Sequence, residues 1–399
     1  MGSGLRVALL SSHLPRRCGI ATFSHDLITA MESADPSLSI SVAAIEEPDL
    51  LRRYDEQVRW RIRQGDAGSY RRAAEAINAS EVEVVNVQHE FGLYGIWRNG
   101  AYEDHLRTFL EALRKPVVTT FHTIPPQPAP SLREAVRTAA RLSDEIVVMA
   151  ETAVWLLDSA YGIDRPATVI PHGMPAIEPH GRRRMKERWG ITGRTLISTF
   201  GLVDPRKGLE YMVRAMPSVL YRHPEAIYLV AGQTHPELVR KAGEKYRDSL
   251  LAEVEGLDLE SHVLFRNEYL AQQDIIDLLI ATDVYVTPYL DPQQITSGTL
   301  AYALGAGKAI VSTAYLHALE SLADGRGLVV GFQDSGQLAS AVNSILDDPT
   351  LKAGLEHRAY AYAKDMAWPM AGKRWLDLMR KTAARSPAAA LTAGGYGRG

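Results

Sequence analysis

Short runs of consecutive apolar and β-branched residues recur along the chain, each followed by a longer stretch with helical spacing. In the first half the runs are Val7 to Ser11, Ile40 to Ile45, Val82 to Val87, Pro116 to Phe121, Glu145 to Met149 and Thr168 to Pro171. Continuous rather than alternating apolar character predicts strands buried on both faces, hence a parallel sheet wrapped by helices. The rhythm restarts at Leu196 to Phe200 and repeats at Ile227 to Ala231, Val263 to Arg266, Val284 to Pro288, Ala309 to Ser312 and Gly327 to Val330. Two α/β domains are therefore expected, 1–175 and 176–367. Pro171-His172-Gly173-Met174-Pro175 and the polar stretch Ile177 to Lys186 read as the linker between them. A last helix is expected over 368–385. The tail 386–399, rich in Ala, Gly and Ser without periodicity, is expected to be disordered.

Composition changes this picture only by exclusion. With 399 residues, 46% of them hydrophobic and 23% charged, the chain can fill two cores. A net charge of −3 from 44 basic and 47 acidic residues carries no nucleic-acid footprint. The single cysteine, Cys18, excludes an internal disulfide and a Cys-based zinc cluster, and suits a reducing compartment, so a cytoplasmic protein is expected. No run of about 18 apolar residues occurs, and Met1-Gly2-Ser3-Gly4-Leu5-Arg6 leads straight into a strand; neither a membrane span nor a secretion signal is expected. Two basic stretches, Arg182-Arg183-Arg184-Met185-Lys186 and Leu51 to Arg63, read as solvated helix faces. Peripheral contact with anionic lipid is the alternative for both, and an anionic or sugar acceptor for the second.

Both domains are Rossmann-like, and such sheets carry their ligands at the carboxyl ends of the strands. The candidate chemistry lies there. After the first run, His13 to Phe23 opens a helix near Ser24; a glycine, Gly19, admits close backbone approach, the helix start favours an anion, and Arg16 and Arg17 are candidate anion contacts. A capped packing turn is the alternative, and Cys18 reads as a packing thiol. His122 follows Thr119-Thr120-Phe121 at another strand end, beside Gln88-His89-Glu90-Phe91-Gly92. In the second domain Phe200-Gly201-Leu202-Val203-Asp204-Pro205-Arg206-Lys207-Gly208 places Lys207 where a helix begins, a position from which an ammonium can meet a diphosphate. The segment from Pro288 to Thr313 runs strand end, polar loop, helix, glycine and strand, and offers the N–H groups around Ser297, Gly298 and Thr299 to a phosphate. No Asp-x-Asp pair or metal-site spacing is present, so no metal or other cofactor is expected.

The 288–313 segment resembles the donor motif of retaining nucleotide-sugar glycosyltransferases, family 4 and the glycogen synthases, in which Glu with Glu or Tyr stand eight positions apart; Gln294 and Tyr302 hold the two positions here. The resemblance spans roughly 5–385. It implies the GT-B fold, two Rossmann-like domains with parallel sheets facing across a cleft, the first on the acceptor side, the second binding the nucleotide sugar, and the last helix crossing back to the first. It also implies that Gly19 and Ile20 lie near the donor diphosphate, that His122 lies against the donor sugar, that Gly232 and Gln233 line the nucleotide, and that Arg266 and Asn267 frame the base. Gln294 takes the place of the expected Glu, and Leu202 that of an Arg whose charge Arg206 supplies from another position. Tyr302 has the glycogen-synthase form and is expected beside the nucleotide. The implied reaction is hexose transfer from a UDP-, GDP- or ADP-sugar to an acceptor hydroxyl with retention, Lys207 and Arg206 holding the diphosphate. A glycoside phosphorylase of related fold and a catalytically silent nucleotide-sugar binder stay open.

Overall fold

The computed structural model describes residues 4–47 and 52–385. Met1, Gly2 and Ser3, Leu51 at the head of the basic stretch, and the tail 386–399 lie outside the described residues. The described chain forms two compact units, one running to Gly173 and resuming at Trp368, the other Met174–Ala367.

In the first unit the strands are β1 (Arg6–Ser11), β2 (Ser39–Glu46), β3 (Val58–Arg63), β4 (Val84–His89), the hairpin β5 (Gly95–Arg98) and β6 (Ala101–Asp104), then β7 (Val117–Phe121), β8 (Glu145–Val148) and β9 (Thr168–Val169). Apart from the hairpin they make one parallel sheet in the order β3-β2-β1-β4-β7-β8-β9. Central strands β4 and β7 are buried along their whole length, as a parallel sheet covered on both faces requires, their polar Asn86, Gln88, His89, Thr119 and Thr120 included. β3 corrects the sequence reading: the basic stretch is an edge strand whose Arg59, Arg61 and Arg63 alternate outward while Ile62 is buried, so period two replaces the helix face. The helix Gly19–Ala34 also starts earlier than the expected Ser24, because extended Cys18 serves as its N-cap. The closing helix Trp368–Ala384 buries Trp368, Ala371, Trp375, Leu376 and Met379 against Phe23, Leu27 and Met31 of Gly19–Ala34. Gly372 makes that approach close: a β-carbon there would lie 2.7 Å from Ala30.

The second unit holds β10 (Thr195–Phe200), β11 (Ala226–Ala231), β12 (Val263–Arg266), β13 (Val284–Thr287), β14 (Ala309–Thr313) and β15 (Leu328–Val330), parallel in the order β12-β11-β10-β13-β14-β15. Alternate residues of one strand enter two cores. Ile197 joins Met212, Val213 and Val342 on one face, and Leu196 joins Leu278, Leu300 and Ala359 on the other. The stretch read as linker becomes helical at Arg182–Arg188. Arg182, Lys186 and Lys352 converge on Asp283 at 3.7, 2.5 and 3.1 Å. Burial pushes the Asp283 carboxyl up, but Lys352 and Lys186 outweigh it and hold the group below its ordinary range. Arg182 and Lys186 are thus engaged in internal ion pairs.

Strand order reverses between β1 and β4 in one unit and between β10 and β13 in the other. The carboxyl ends at those reversals are where an open α/β sheet leaves room for a ligand. In the second unit they feed the loops 201–208 and 288–297.

Candidate functional site

In the second unit the site is assembled by glycine contacts. Gly201, after β10, has φ +117°, and Gly232, after β11, has φ +155°. A β-carbon on Gly232 would lie 2.0 Å from the Gly201 carbonyl oxygen, and one on Gly201 would lie 3.2 Å from Thr299 Cγ2. The two turns and the start of the helix Gly298–Gly305 are therefore stacked with no room for side chains. Asp204 accepts the Arg206 N–H at 2.9 Å, caps the turn Pro205–Lys207, and also takes the Arg206 guanidinium at 2.9 and 3.0 Å. The Leu290 N–H donates to the Arg206 carbonyl at 2.8 Å, which ties the two loops together.

Lys207 Nζ sits 3.7 Å above the centre of the Tyr289 ring. Burial pulls its pKa down to about 7, a fall that Asp204 opposes and Arg206 reinforces. Among the described residues no carboxylate lies within ion-pair distance of it. Tyr289 in turn shares a 2.7 Å hydrogen bond with Thr299 Oγ1, which lies 3.2 Å from Ser297 Oγ, and Ser297 Oγ accepts the Leu300 N–H at 3.3 Å. A run of contacts thus joins the lysine to the capped helix start. His317 ties the loop down, its ring Nδ1 accepting the Ser297 N–H at 2.9 Å and its backbone N–H donating to the Gln294 carbonyl at 3.0 Å. The Gln294 amide donates to the Thr296 carbonyl at 3.0 Å. Tyr302, with its ring 6.0 Å from that of Phe200, accepts from Gln272 Nε2 at 3.3 Å.

In the first unit Cys18 provides no side-chain cap to the helix Gly19–Ala34, and the space where a Gly19 β-carbon would stand is open for 4 Å. Ile20 is half-buried beside it. His122 is buried, with Phe23 edge-on at 4.8 Å and Nε2 at 2.8 Å from Gln88 Oε1. The Gln88 amide N–H donates to Asn86, so its oxygen faces the ring, His122 carries its proton on Nε2, and Nδ1 is an acceptor. Burial draws its pKa down to about 3, helped by His172 and His89, so the ring is neutral at ordinary pH and offers hydrogen bonds rather than acid. His89 is fully buried among Phe91, Tyr94 and Phe121 and packs rather than faces solvent.

Known proteins bear on this geometry. A model of the family described as Glycosyl transferases group 1 matches residues 181–366, and one of Glycosyltransferase Family 4 matches 9–176. The chain belongs to the family 4 glycosyltransferases. It is 25% identical over 265 residues to a GDP-mannose-dependent alpha-(1-6)-phosphatidylinositol monomannoside mannosyltransferase of Mycolicibacterium smegmatis, covering 63% of this chain and 65% of that one. It is 27% identical over 258 residues to a phosphatidyl-myo-inositol mannosyltransferase of the same organism, over 63% and 61% of the two chains. The chain thus spans just under two thirds of the length of these curated relatives. Among solved structures, Anabaena HepE in complex with UDP superposes with TM-score 0.71 at 15% identity over 94% of this chain and all of that one. The sucrose-phosphate synthase of Thermosynechococcus elongatus superposes with TM-score 0.75 at 16% identity over 96% of this chain. The fold is GT-B.

Against that frame the residues singled out in the sequence divide. Gly201, Gly232, Lys207, Arg206, Ser297, Gly298 and Thr299 stand together, and Gln294 borders them through His317. The Gln233 carbonyl accepts from Val203 N–H at 2.9 Å. Arg266 contributes its carbonyl to Gly232 N–H at 2.8 Å, while its guanidinium covers Trp189 at 4.9 Å and pairs with Glu268 at 3.0 Å; Asn267 beside it is exposed. Tyr289, His317 and Arg247 were missed. Arg247, almost fully buried, donates to the Gly232 carbonyl at 2.6 Å and supports that turn, yet nothing local in the sequence marks it. Among the described residues no group of His, Cys, Asp or Glu is arranged to hold a metal, and no helix is long and apolar enough to cross a membrane.

Proposed function

We propose that the chain is a retaining glycosyltransferase that moves a hexose from a nucleoside-diphosphate sugar to an acceptor hydroxyl without a metal. The observation that carries this is the convergence of Lys207, the stacked Gly201 and Gly232 turns and the helix start at Ser297–Thr299 where β10 and β13 diverge. The nucleotide diphosphate lies against these groups. Lys207, protonated on binding, and the N–H groups of Gly298 and Thr299 neutralise charge that grows on the leaving phosphate, the role a divalent cation plays elsewhere. Arg206, shared with Asp204, adds a second cation at the rim. His122, neutral, hydrogen-bonds the donor sugar, and Gln294 does so as a neutral amide.

The first of the relatives named above is GDP-mannose-dependent, which makes GDP-mannose the first donor to test, ahead of UDP- and ADP-glucose. The acceptor is a carbohydrate or another hydroxyl compound, and the free Cys18 thiol suits action in a reducing cytoplasm. A silent nucleotide-sugar binder is the second reading, favoured by the Gln294 amide folded onto Thr296. Release of nucleoside diphosphate, in chelator and with an acceptor panel, separates the two. Release that persists in chelator with a product of retained anomeric configuration supports transfer, tight binding without release supports the binder, and sugar 1-phosphate formed from a glycoside and free phosphate, with no nucleotide needed, identifies a phosphorylase.

A further inference from the structure

The ammonium of Lys207 faces a ring where a carboxylate would be expected. It lies 3.7 Å above the centre of Tyr289. Asp204 and Arg206 are the charged groups acting on it, and both oxygens of Asp204 are taken by Arg206. Tyr289 is fully buried, and burial pushes its phenol up to about 12 against the opposing hydrogen bond with Thr299, so the lysine meets a neutral ring face and not a phenolate. That ring is fixed in place. Its hydroxyl shares the 2.7 Å hydrogen bond with Thr299 Oγ1, the Tyr289 carbonyl accepts from Thr313 Oγ1 at 2.5 Å, and the Tyr315 ring lies parallel to it at 5.5 Å and 17°. Tyr315, itself fully buried, is anchored through its hydroxyl to Thr287 Oγ1 at 3.3 Å. The loop carrying Tyr289 also abuts the turn carrying Lys207: a β-carbon on Gly208 would lie 2.3 Å from the Pro288 carbonyl oxygen. A carboxylate in place of the ring would pair with the ammonium and compete with an arriving diphosphate. A ring face attracts the ammonium through its quadrupole, more weakly than a full charge, and leaves the N–H donors for the ligand.

We propose that Tyr289 is a positioning residue of the donor site: its ring keeps Lys207 a placed, charged ammonium until a diphosphate takes it. This rests on the glycosyltransferase reading and adds to it the group through which the lysine is held ready.

The test keeps the shape of the ring and changes its electrons. In the whole protein, position 289 is filled with Phe (Tyr289→Phe) and then with pentafluorophenylalanine, whose ring face no longer attracts a cation. Affinity for the nucleoside diphosphate that stabilises wild type is measured from pH 6 to 9. Tyr289→Phe is expected to weaken binding about fivefold at every pH, through the lost hydrogen bond to Thr299, and to keep the pH midpoint. Fluorination is expected to lower that midpoint by about one pH unit, and to weaken binding at pH 8 by about a further tenfold. In Lys207→Ala the profile is flat with either ring. A midpoint equal in the two rings, one that Tyr289→Phe already moves by as much, or a fluorinated protein that only melts earlier would each overturn the proposal. If no nucleotide binds wild type, the donor reading fails by itself. The Lys207 amine is then titrated directly by heteronuclear NMR of the lysine side chains, assigned through Lys207→Ala; the same downward shift on fluorination supports the hold of the ring on the lysine, and an unmoved value overturns it.

Discussion

In the proposed donor site, Lys207 would couple nucleotide binding to pH. Burial lowers its pKa to about 7, whereas a bound diphosphate favours the ammonium and raises it again. Proton uptake therefore accompanies binding: affinity for nucleoside diphosphate is full below about pH 7 and weakens as pH rises above it. Calorimetric titrations from pH 6.5 to 9 should show that decline. Lys207→Ala should flatten it and cost about 2 kcal/mol at the low end, the worth of a charge-assisted hydrogen bond. An unchanged profile in the variant would remove the lysine from the site. Gly232→Ala should abolish nucleotide binding outright, because the added carbon meets the Gly201 carbonyl. Residue-scale chemistry was legible in the sequence where it depends on local order, as in Asp204-Pro205-Arg206-Lys207-Gly208. It was not legible for His317 and Arg247, which act on backbone groups distant in the chain.

Among the elements, β4 ends in His89 and β7 is followed by His122, histidines that folding keeps neutral. His122, His89 and His172 have pKa values lowered to about 3, 4 and 4, chiefly by burial. A base whose folded pKa is depressed stabilises fully above its unfolded value, about 6.5, and loses that contribution as pH falls through the folded value. Denaturant unfolding of the first unit should therefore weaken between pH 6.5 and 4, by on the order of 2 kcal/mol per histidine. His172→Gln should make the slope shallower; an equal slope would assign the acid sensitivity elsewhere. The helix Trp368–Ala384 contributes through Trp375, 1% exposed in the first unit's core. Trp375→Ala should cost about 3–5 kcal/mol in the same measurement. At this scale the strand runs were visible because burial on both faces makes them continuously apolar. β3 was hidden because an edge strand with outward arginines imitates a polar helix face.

For the whole molecule, the repeated strand–helix rhythm carried the two α/β units into view, since period and burial are properties of sequence alone. What it could not carry was the convergence at each sheet's reversal, which depends on strand order: β10 lies beside β13, far along the chain, and only that pairing brings Lys207 onto Tyr289. The central claim is that this convergence is a nucleotide-sugar site. Its most direct test is thermal stabilisation of the purified protein by GDP, UDP, ADP and free phosphate, in wild type and Lys207→Ala, followed by hydrolysis of the matching nucleotide sugar. The account predicts a shift of a few degrees with one nucleotide, lost in the variant, and release of that nucleotide from its sugar. No shift with any nucleotide, or one that Lys207→Ala leaves intact, would contradict it.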